Sequence, residues 1–151
     1  MNVLVTGRLP SEIMSMLTAH HNVTANALDE PMARADILEK IRGKDGLLSM
    51  VTDRIDDTVM EHAQELRMIA NYGVGYDNID VAAATARGIW VSNTPDVLTD
   101  ATADLTFALI LATARRVVEG DCRTRAGEFK CWAPLLFLGT QVTGKTLGIV
   151  G

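Results

Sequence analysis

Two glycines flank a valine directly after an apolar segment, and this arrangement suits the binding of a small anion. Gly73, Val74 and Gly75 follow the β-rich segment Arg67–Tyr72. Glycines on both sides of Val74 permit unusual backbone angles and the close approach of a ligand. The successive N–H groups of Val74 and Gly75 can then bind a carboxylate. The alternative is a tight turn between a strand and a helix that binds no ligand.

Further candidates lie at the start of a long helical pattern and at the end of the chain. Leu98, Thr99 and Thr102 open the helix, where N–H groups attract negative charge and hydroxyls can bond phosphate or ribose oxygens. Helix capping by Thr99 or Asp100 is the structural alternative. Gly151 follows an apolar run and fits the first glycine of the dinucleotide-binding loop G-x-G-x-x-G, although one glycine alone is a weak signal.

Leu48 and Ser49 are candidates for the same site as the glycines, because they lie near the end of the apolar segment Gly46–Met50. The carboxyl ends of parallel strands meet at one edge of a sheet, where ligands of such sheets bind. A role in the core is the alternative for Leu48. Asn78 or Asp80 can cap the helix that follows the glycines, so we expect a structural role for them rather than contact with substrate.

The elements that must position these residues alternate between strand and helix patterns. Strands are predicted at Asn2–Gly7, Asn22–Ala27, Gly46–Met50, Arg67–Tyr72 and Ile89–Ser92. Helices are predicted after a Ser11 cap, from Pro31 to about Arg42, from Asp56 or Asp57, from Asp80 to Arg87 and from Thr99 to about Gly120. Five strand–helix units in succession predict a parallel sheet with helices on both faces.

Two apolar features suggest burial. Trp90 lies in a predicted strand, and we expect it in the core. The helix predicted at 99–120 is apolar on nearly all sides, so a neighbouring domain or subunit should cover it. An irregular apolar segment follows at Cys131–Gly139, and a last strand is predicted at Lys145–Gly151.

Composition excludes several functions. The chain has 151 residues, 48% of them apolar, and a net charge of −5, which suits one ordinary core and argues against binding to nucleic acid or to an anionic membrane. The longest apolar run is too short to span a bilayer. His20, His21 and His62 have no metal-ligand spacing, so no metal site is expected. Two cysteines make no disulfide framework, and we expect a cytoplasmic protein.

Three segments resemble the D-isomer-specific 2-hydroxyacid dehydrogenases. These are NYGVGYDNID at Asn71–Asp80, NTPDVLTDATADL at Asn93–Leu105 and KTLGIVG at Lys145–Gly151, in the order that the family shows. The resemblance covers roughly the second half of the chain, and the wording VLTDATAD is most similar to glyoxylate/hydroxypyruvate reductases.

The resemblance implies an α/β fold with two parts. Residues 1–97 would form a flavodoxin-like substrate domain, and residues 98–151 would form an interdomain and dimerisation helix, an arm and the first strand of a Rossmann cofactor domain. It further implies that the substrate carboxylate sits on Val74 and Gly75, beside Gly73, Leu48 and Ser49. NAD or NADP would contact Val74, Leu98, Thr102 and Gly151. The catalytic residues of the family would all lie beyond Gly151.

The predicted function is therefore hydride transfer between NAD(P)H and a small 2-oxo acid such as glyoxylate or hydroxypyruvate. The product would be a D-2-hydroxy acid, and the protein would be a homodimer. The chain alone is expected to be inactive. One alternative is a non-catalytic, dinucleotide-sensing protein like the corepressors of this fold. Others are a phosphoglycerate-dehydrogenase-like member and a truncated product.

Overall fold

A computed structural model describes residues 1–150 and shows five strands and six helices within them. The strands are β1 (Asn2–Val5), β2 (Asn22–Ala25), β3 (Gly46–Met50), β4 (Met68–Tyr72) and β5 (Trp90–Ser92). The helices are α1 (Ser11–Thr18), α2 (Arg34–Lys40), α3 (Asp57–Glu61), α4 (Val81–Ala86), α5 (Thr99–Ala114) and α6 (Val117–Arg125). The chain divides into two compact units, Met1–Val97 and the residues from Leu98 onward.

All five strands belong to one parallel sheet in the first unit. Their order is β2-β1-β3-β4-β5, which is the flavodoxin-like order. The α/β fold class and the parallel, flavodoxin-like sheet are therefore confirmed. Because every neighbouring pair is parallel, all the carboxyl ends lie along one edge, which we call the carboxyl edge.

The core of the first unit lies on the two faces of this sheet. Successive strand residues point to opposite faces, so Leu4 joins a large cluster while Val3 and Val5 join a smaller one. The large cluster includes residues of α2, α3 and α4, and the smaller cluster is packed against Met14 and Leu17 of α1. Helices thus lie on both faces, but three of them lie on the same face.

This uneven cover explains why the prediction for Trp90 was wrong. Trp90 is 78% exposed, and Met68, its partner in the register of β4 and β5, is 45% exposed. The next residue, Val91, packs against the large cluster, so Trp90 points to the opposite face of the sheet. In the first unit the only helix on that face is α1, which packs near β1, β2 and β3 rather than near the edge strand β5.

The helix starts agree with the prediction where an aspartate precedes the helix. Asp56 and Asp80 are the caps of α3 and α4, and their carboxylates accept hydrogen bonds from the N–H groups of Val59 and Ala83. The helices α1 and α2 are present, but the starts predicted for them were wrong. Ser11 is the first residue of α1 and makes no capping bond, because Pro10 holds the cap position. α2 begins at Arg34 rather than Pro31, since the residues before it form no helical turn.

In the second unit, the helix predicted from Thr99 to Gly120 is broken. α5 ends at Ala114, and Arg116 adopts a left-handed backbone with φ of 56° before α6 begins. The Ala114 carbonyl has a partner outside the helix. It accepts a hydrogen bond of 2.7 Å from the Thr140 N–H, whereas in a continuous helix it would accept from a residue one turn later.

The strand predicted at Lys145–Gly151 is not formed over residues 145–150. A parallel strand is defined by hydrogen bonds to a neighbour, and none of the residues from 1 to 150 pairs with this segment. Gly151, predicted to contact a cofactor, lies outside the described residues.

Candidate functional site

The residues predicted to bind substrate lie at or near the carboxyl edge of the first unit. Gly73, Val74 and Gly75 directly follow β4, and Leu48 and Ser49 lie within the last three residues of β3, which is the neighbour of β4 in the sheet. The segment Gly73–Asn78 is named the edge loop below. The residue after this loop, Ile79, forms an isolated parallel bridge with Ile55, which follows β3.

Three carbonyl groups of the edge loop are held by donors from the ends of two strands. The Gly73 carbonyl accepts from the Thr94 N–H at 2.9 Å, and the Val74 carbonyl accepts from Asn93 Nδ2 at 2.8 Å. The Gly75 carbonyl accepts from Asn71 Nδ2, also at 2.8 Å. Each of these oxygens therefore points into the first unit.

The N–H groups of the edge loop are in the opposite situation. Among residues 1–150, no group accepts a hydrogen bond from the N–H of Val74 or Gly75, and both residues are exposed. In a planar trans peptide, the N–H points away from the carbonyl of the preceding residue. Because the Gly73 and Val74 carbonyls both turn toward the neighbouring residues Asn93 and Thr94, the N–H groups of Val74 and Gly75 share the other side.

The two glycines have different roles, and the unusual backbone angles expected of them are not found. Positive φ angles occur at other glycines of the described chain, but not at Gly73 or Gly75, so unusual backbone angles do not explain them. A Cβ on Gly73 would overlap with Val51 Cγ1, so a close contact requires this glycine. A Cβ on Gly75 would meet no atom within 4 Å, which leaves open space beside the free N–H groups.

Leu48 and Ser49 have packing roles within the first unit. Leu48 is partly buried against the smaller core cluster. Ser49 is fully buried, and its hydroxyl donates to Asn71 Oδ1 at 3.0 Å. Ser49 therefore reaches the edge loop through Asn71, whose amide nitrogen holds the Gly75 carbonyl.

Asn78 stabilises the edge loop through its side-chain amide and does not cap the next helix. Asp80 is the cap of that helix. The amide group of Asn78 pairs with that of Asn71 through two hydrogen bonds of 3.1 and 3.2 Å. Asn78 Nδ2 also lies 3.2 and 3.1 Å from the carbonyl oxygens of Met50 and Asp53, so its two hydrogens are shared among three acceptors. The side chain of Asp53 is buried and accepts from the Met50 N–H and from the Thr6 hydroxyl. These contacts connect the loops after β1, β3 and β4.

Three asparagines and Asp53 were thus missed as determinants of the site. Asn71, Asn78 and Asn93 all lie in the quoted motifs, and an amide side chain both donates and accepts, so it can satisfy backbone groups where ladders end. The presence of these asparagines in the motifs was therefore the sequence feature that could have indicated their role. Asn71 holds a carbonyl only four residues away, but Asn93 and Asn78 hold carbonyls 19 and 28 residues away, and no local pattern contains such contacts.

A crevice of about 410 Å³ opens beside the edge loop at the carboxyl ends of β1 and β3. β2 lies on one side of β1, and β3, β4 and β5 lie on the other, so the order in which strands are added to the sheet reverses between β1 and β3. Doubly wound sheets bind ligands at such a point. Val51 and Tyr72 line the crevice and flank the edge loop, together with Gly7, Arg8 and Met50. The crevice holds an exposed ion pair between Arg8 and Asp29 at 2.7 Å.

The predicted cofactor contacts in the second unit lie at the start of α5. Leu98 is the residue before the helix and is 54% exposed, and Thr102 is exposed in the first turn. Neither Thr99 nor Asp100 caps the helix, because no side chain makes a capping hydrogen bond there. The first N–H groups of this 16-residue helix are therefore open to a ligand, although Asp100 adds a negative charge beside them.

Metal-binding clusters and membrane-spanning helices are not found in the described part of the chain. Within residues 1–150, no group of three or more His, Cys, Asp and Glu side chains is arranged to hold a metal ion. No helix in the same range combines the length and apolar character needed to cross a membrane.

The amino-acid sequence is similar to that of known reductases. Residues 3–146 match the family described as D-isomer specific 2-hydroxyacid dehydrogenase, catalytic domain. A glyoxylate reductase from Thermococcus gammatolerans is 50% identical over 153 residues, which cover 99% of this chain and 46% of the relative. The glyoxylate reductase of Pyrococcus horikoshii has the same identity and coverage, 50% over 153 residues.

Solved structures with a similar fold belong to proteins with related sequences. A Thermus thermophilus protein has a TM-score of 0.86 and 46% identity, over 93% of this chain and 45% of its own. A Polaromonas protein described as a D-isomer specific 2-hydroxyacid dehydrogenase, NAD-binding, has a TM-score of 0.87 and 34% identity, over 95% of this chain and 45% of its own. The chain spans less than half the length of these relatives. Since the family match extends over nearly the whole chain, the protein belongs to the D-isomer specific 2-hydroxyacid dehydrogenase family.

Proposed function

We propose that the complete protein reduces a small 2-oxo acid, glyoxylate or hydroxypyruvate, with a nicotinamide cofactor, NAD or NADP. The cofactor supplies a hydride to the carbonyl carbon, and a proton joins the carbonyl oxygen to give the 2-hydroxy acid. The similar proteins named glyoxylate reductases support this choice over the corepressor-like and phosphoglycerate-dehydrogenase-like alternatives.

The task of residues 1–97 in this reaction is to bind the substrate carboxylate. The observation that supports this is the difference in hydrogen bonding between the two sides of the edge loop. The carbonyls of Gly73 and Val74 are held by Thr94 and Asn93, while the N–H groups of Val74 and Gly75 are exposed and share one side. Two N–H groups on one side match the acceptor oxygens of a carboxylate, and charge strengthens such hydrogen bonds.

The edge loop needs help from elsewhere to bind an anion tightly. It contains no Lys or Arg, and Asp77 lies within it. No histidine lies in residues 71–80 or 93–105 to donate the proton. We therefore assign the loop to orientation of the substrate, and we assign the cation and the proton donor to a part of the protein beyond residue 151.

Leu98, Thr102 and Val74 are proposed to contact the nicotinamide end of the cofactor. The uncapped start of α5 fits an uncharged polar group, because its free N–H groups can donate while Asp100 disfavours a second negative charge. Gly151 is proposed as the first glycine of the pyrophosphate-binding loop.

We further propose that the complete protein is a homodimer that uses the second unit. Large apolar side chains of α5 and of the irregular segment Cys131–Gly139 are exposed, with Trp132 at 78% and Leu135 at 82%. A large apolar surface of this kind usually marks an interface.

The proposed function is tested by paired measurements on the complete protein. NAD(P)H oxidation should depend on glyoxylate or hydroxypyruvate, and oxalate should shift the NMR signals of the Val74 and Gly75 amides. Turnover without these shifts would move the carboxylate site elsewhere. Absence of both turnover and shifts would contradict the proposal.

A further inference from the structure

The side chain of Asn93 contacts the edge loop at one point, the carbonyl of Val74. Its Nδ2 lies 2.8 Å from that oxygen, and the residues are 19 positions apart in sequence. The next residue, Thr94, contacts the neighbouring carbonyl of Gly73 through its backbone N–H. The end of β5 thus holds two successive peptide groups, one with a side chain and one with the main chain.

We propose that Asn93 is a positioning residue that directs the Gly75 N–H toward the substrate carboxylate. This inference rests on the proposed function of the edge loop. The Val74 carbonyl and the Gly75 N–H belong to the same peptide group, which is planar and trans. A donor that fixes the direction of the carbonyl therefore fixes the direction of the N–H on the opposite side.

The hydrogen bond also acts on the strength of the Gly75 N–H. Donation to a carbonyl polarises its peptide group, and hydrogen bonds in a chain strengthen one another by about 10–30% each. Asn93 thus prepares the amide before the substrate arrives, and it does so without touching the substrate. Only the amide nitrogen of Asn93 can serve, since the carbonyl oxygen of Val74 is an acceptor.

The loop has no other restraint on this peptide group among residues 1–150. The neighbouring groups are held independently, because the Gly73 carbonyl is held by Thr94 and the Gly75 carbonyl by Asn71. Loss of the Asn93 amide should therefore free the peptide group between Val74 and Gly75 and leave its neighbours in place. Asn93 is only partly buried, so its replacement should leave the fold intact.

The test compares Asn93→Ala and Asn93→Asp with Thr94→Val in the complete protein. Asn93→Asp keeps the shape of the side chain, loses the donor and adds a negative charge, so Asn93→Ala is the variant that measures the hydrogen bond alone. Thr94→Val changes the adjacent side chain and keeps the N–H that holds Gly73. The Kd of oxalate should rise about tenfold in Asn93→Ala, as expected for one hydrogen bond to a charged group, should rise further in Asn93→Asp because of charge repulsion, and should be unchanged in Thr94→Val.

Two further measurements separate positioning from a general structural role. The KM for glyoxylate should rise while kcat and the Kd of NAD(P)H stay the same, because a uniform binding contact has been weakened. The oxalate-induced shift of the Gly75 amide should fall more than that of Val74. If wild type does not bind oxalate at the loop, the proposed function fails. If wild type binds and the Asn93 variants bind equally well, or lose kcat instead, the inference about Asn93 is wrong.

Discussion

Gly73 lies so close to Val51 that a methyl group on Gly73 would overlap with Val51 Cγ1. The two residues belong to loops that follow neighbouring strands of the sheet. Their contact brings the edge loop against the loop after β3, next to the crevice at the carboxyl edge.

The first prediction is that Gly73→Ala destabilises the protein and that Val51→Ala compensates. The added methyl group forces the side chain of Val51, which is 53% exposed, out of its preferred rotamer, and this costs about 0.5–1.5 kcal/mol. Removal of the Val51 methyl groups makes room for it. Urea unfolding of the two single variants and the double variant gives the coupling free energy. Additive effects in this cycle would show that the contact is not tight.

The second prediction is that a substitution at Gly75 changes ligand binding and leaves stability unchanged. Gly75→Ala should preserve the free energy of unfolding, because φ is not positive and the new Cβ meets no atom within 4 Å. The methyl group would stand in the open space beside the free N–H groups. We therefore expect the Kd of oxalate to rise by about tenfold or more, corresponding to about 1.4 kcal/mol. Calorimetry measures the Kd, and unchanged oxalate affinity would remove Gly75 from the site.

The third prediction concerns Asp56, the cap of α3. The hydrogen bond from Arg34 lowers the pKa of its carboxyl group, although burial opposes the shift and the Val59 N–H assists it. Arg34 donates to both oxygens, at 2.8 and 2.9 Å. Because the pKa is lower in the folded state, this carboxylate stabilises the protein above the unfolded pKa of about 3.9. The contribution is lost as the pH falls through the folded value.

The substitution Asp56→Asn tests this, since asparagine can still cap the helix. It should lower the free energy of unfolding by about 1 kcal/mol at pH 6, and the difference from wild type should shrink as the pH falls below about 4. Denaturant titrations at several pH values measure both. Asp36→Asn is the matched control, because its exposed carboxylate lies 3.9 Å from Lys40. It should change stability by less than about 0.5 kcal/mol. A difference for Asp56→Asn that does not vary with pH would contradict the assignment.

The fourth prediction concerns activity. A polypeptide of residues 1–151 should neither bind NAD(P)H tightly nor reduce glyoxylate. It contains one glycine of the proposed phosphate loop, and it has no histidine in residues 71–80 or 93–105. Proton transfer from a positioned group contributes about 10²–10⁴-fold to the rate. Turnover by a preparation whose intact mass equals that of residues 1–151 would overturn this division of labour.

The fifth prediction concerns association through the second unit. In the complete protein Trp132, which is 78% exposed in this chain, should be protected from quenching by iodide. Leu135→Asp should shift the mass found by light scattering from dimer toward monomer, because a charge at an apolar interface is costly. Trp90→Thr changes an exposed residue of the first unit and serves as the control. A monomeric wild type at high concentration would contradict the proposed dimer.

Local patterns of the sequence were sufficient for the five strands of the sheet and for part of the helix boundaries, but they wrongly predicted a strand at Lys145–Gly151, which is not formed over residues 145–150. Both ends of β3 agree with the prediction, and each of the other four strands differs from it at one end by one or two residues. Short apolar segments between turn residues are typical of buried parallel strands, and the five segments that pair in the sheet have this pattern. Asp56 and Asp80 marked their helices because a cap acts within three residues. The glycine motif after β4 likewise indicated the position of the edge loop.

Other features depended on contacts between distant residues. At the break after Ala114 the carbonyl accepts from the distant Thr140, and the exposure of Trp90 arises because α1 lies near other strands. The direction of the Val74 and Gly75 N–H groups depends on Asn93 and Thr94, about 20 residues away along the chain. The sequence by itself thus determined which residues form the elements and where the loop lies. Tertiary structure decided which backbone groups remain free, because a hydrogen-bonding group is free only when no distant part of the chain supplies its partner.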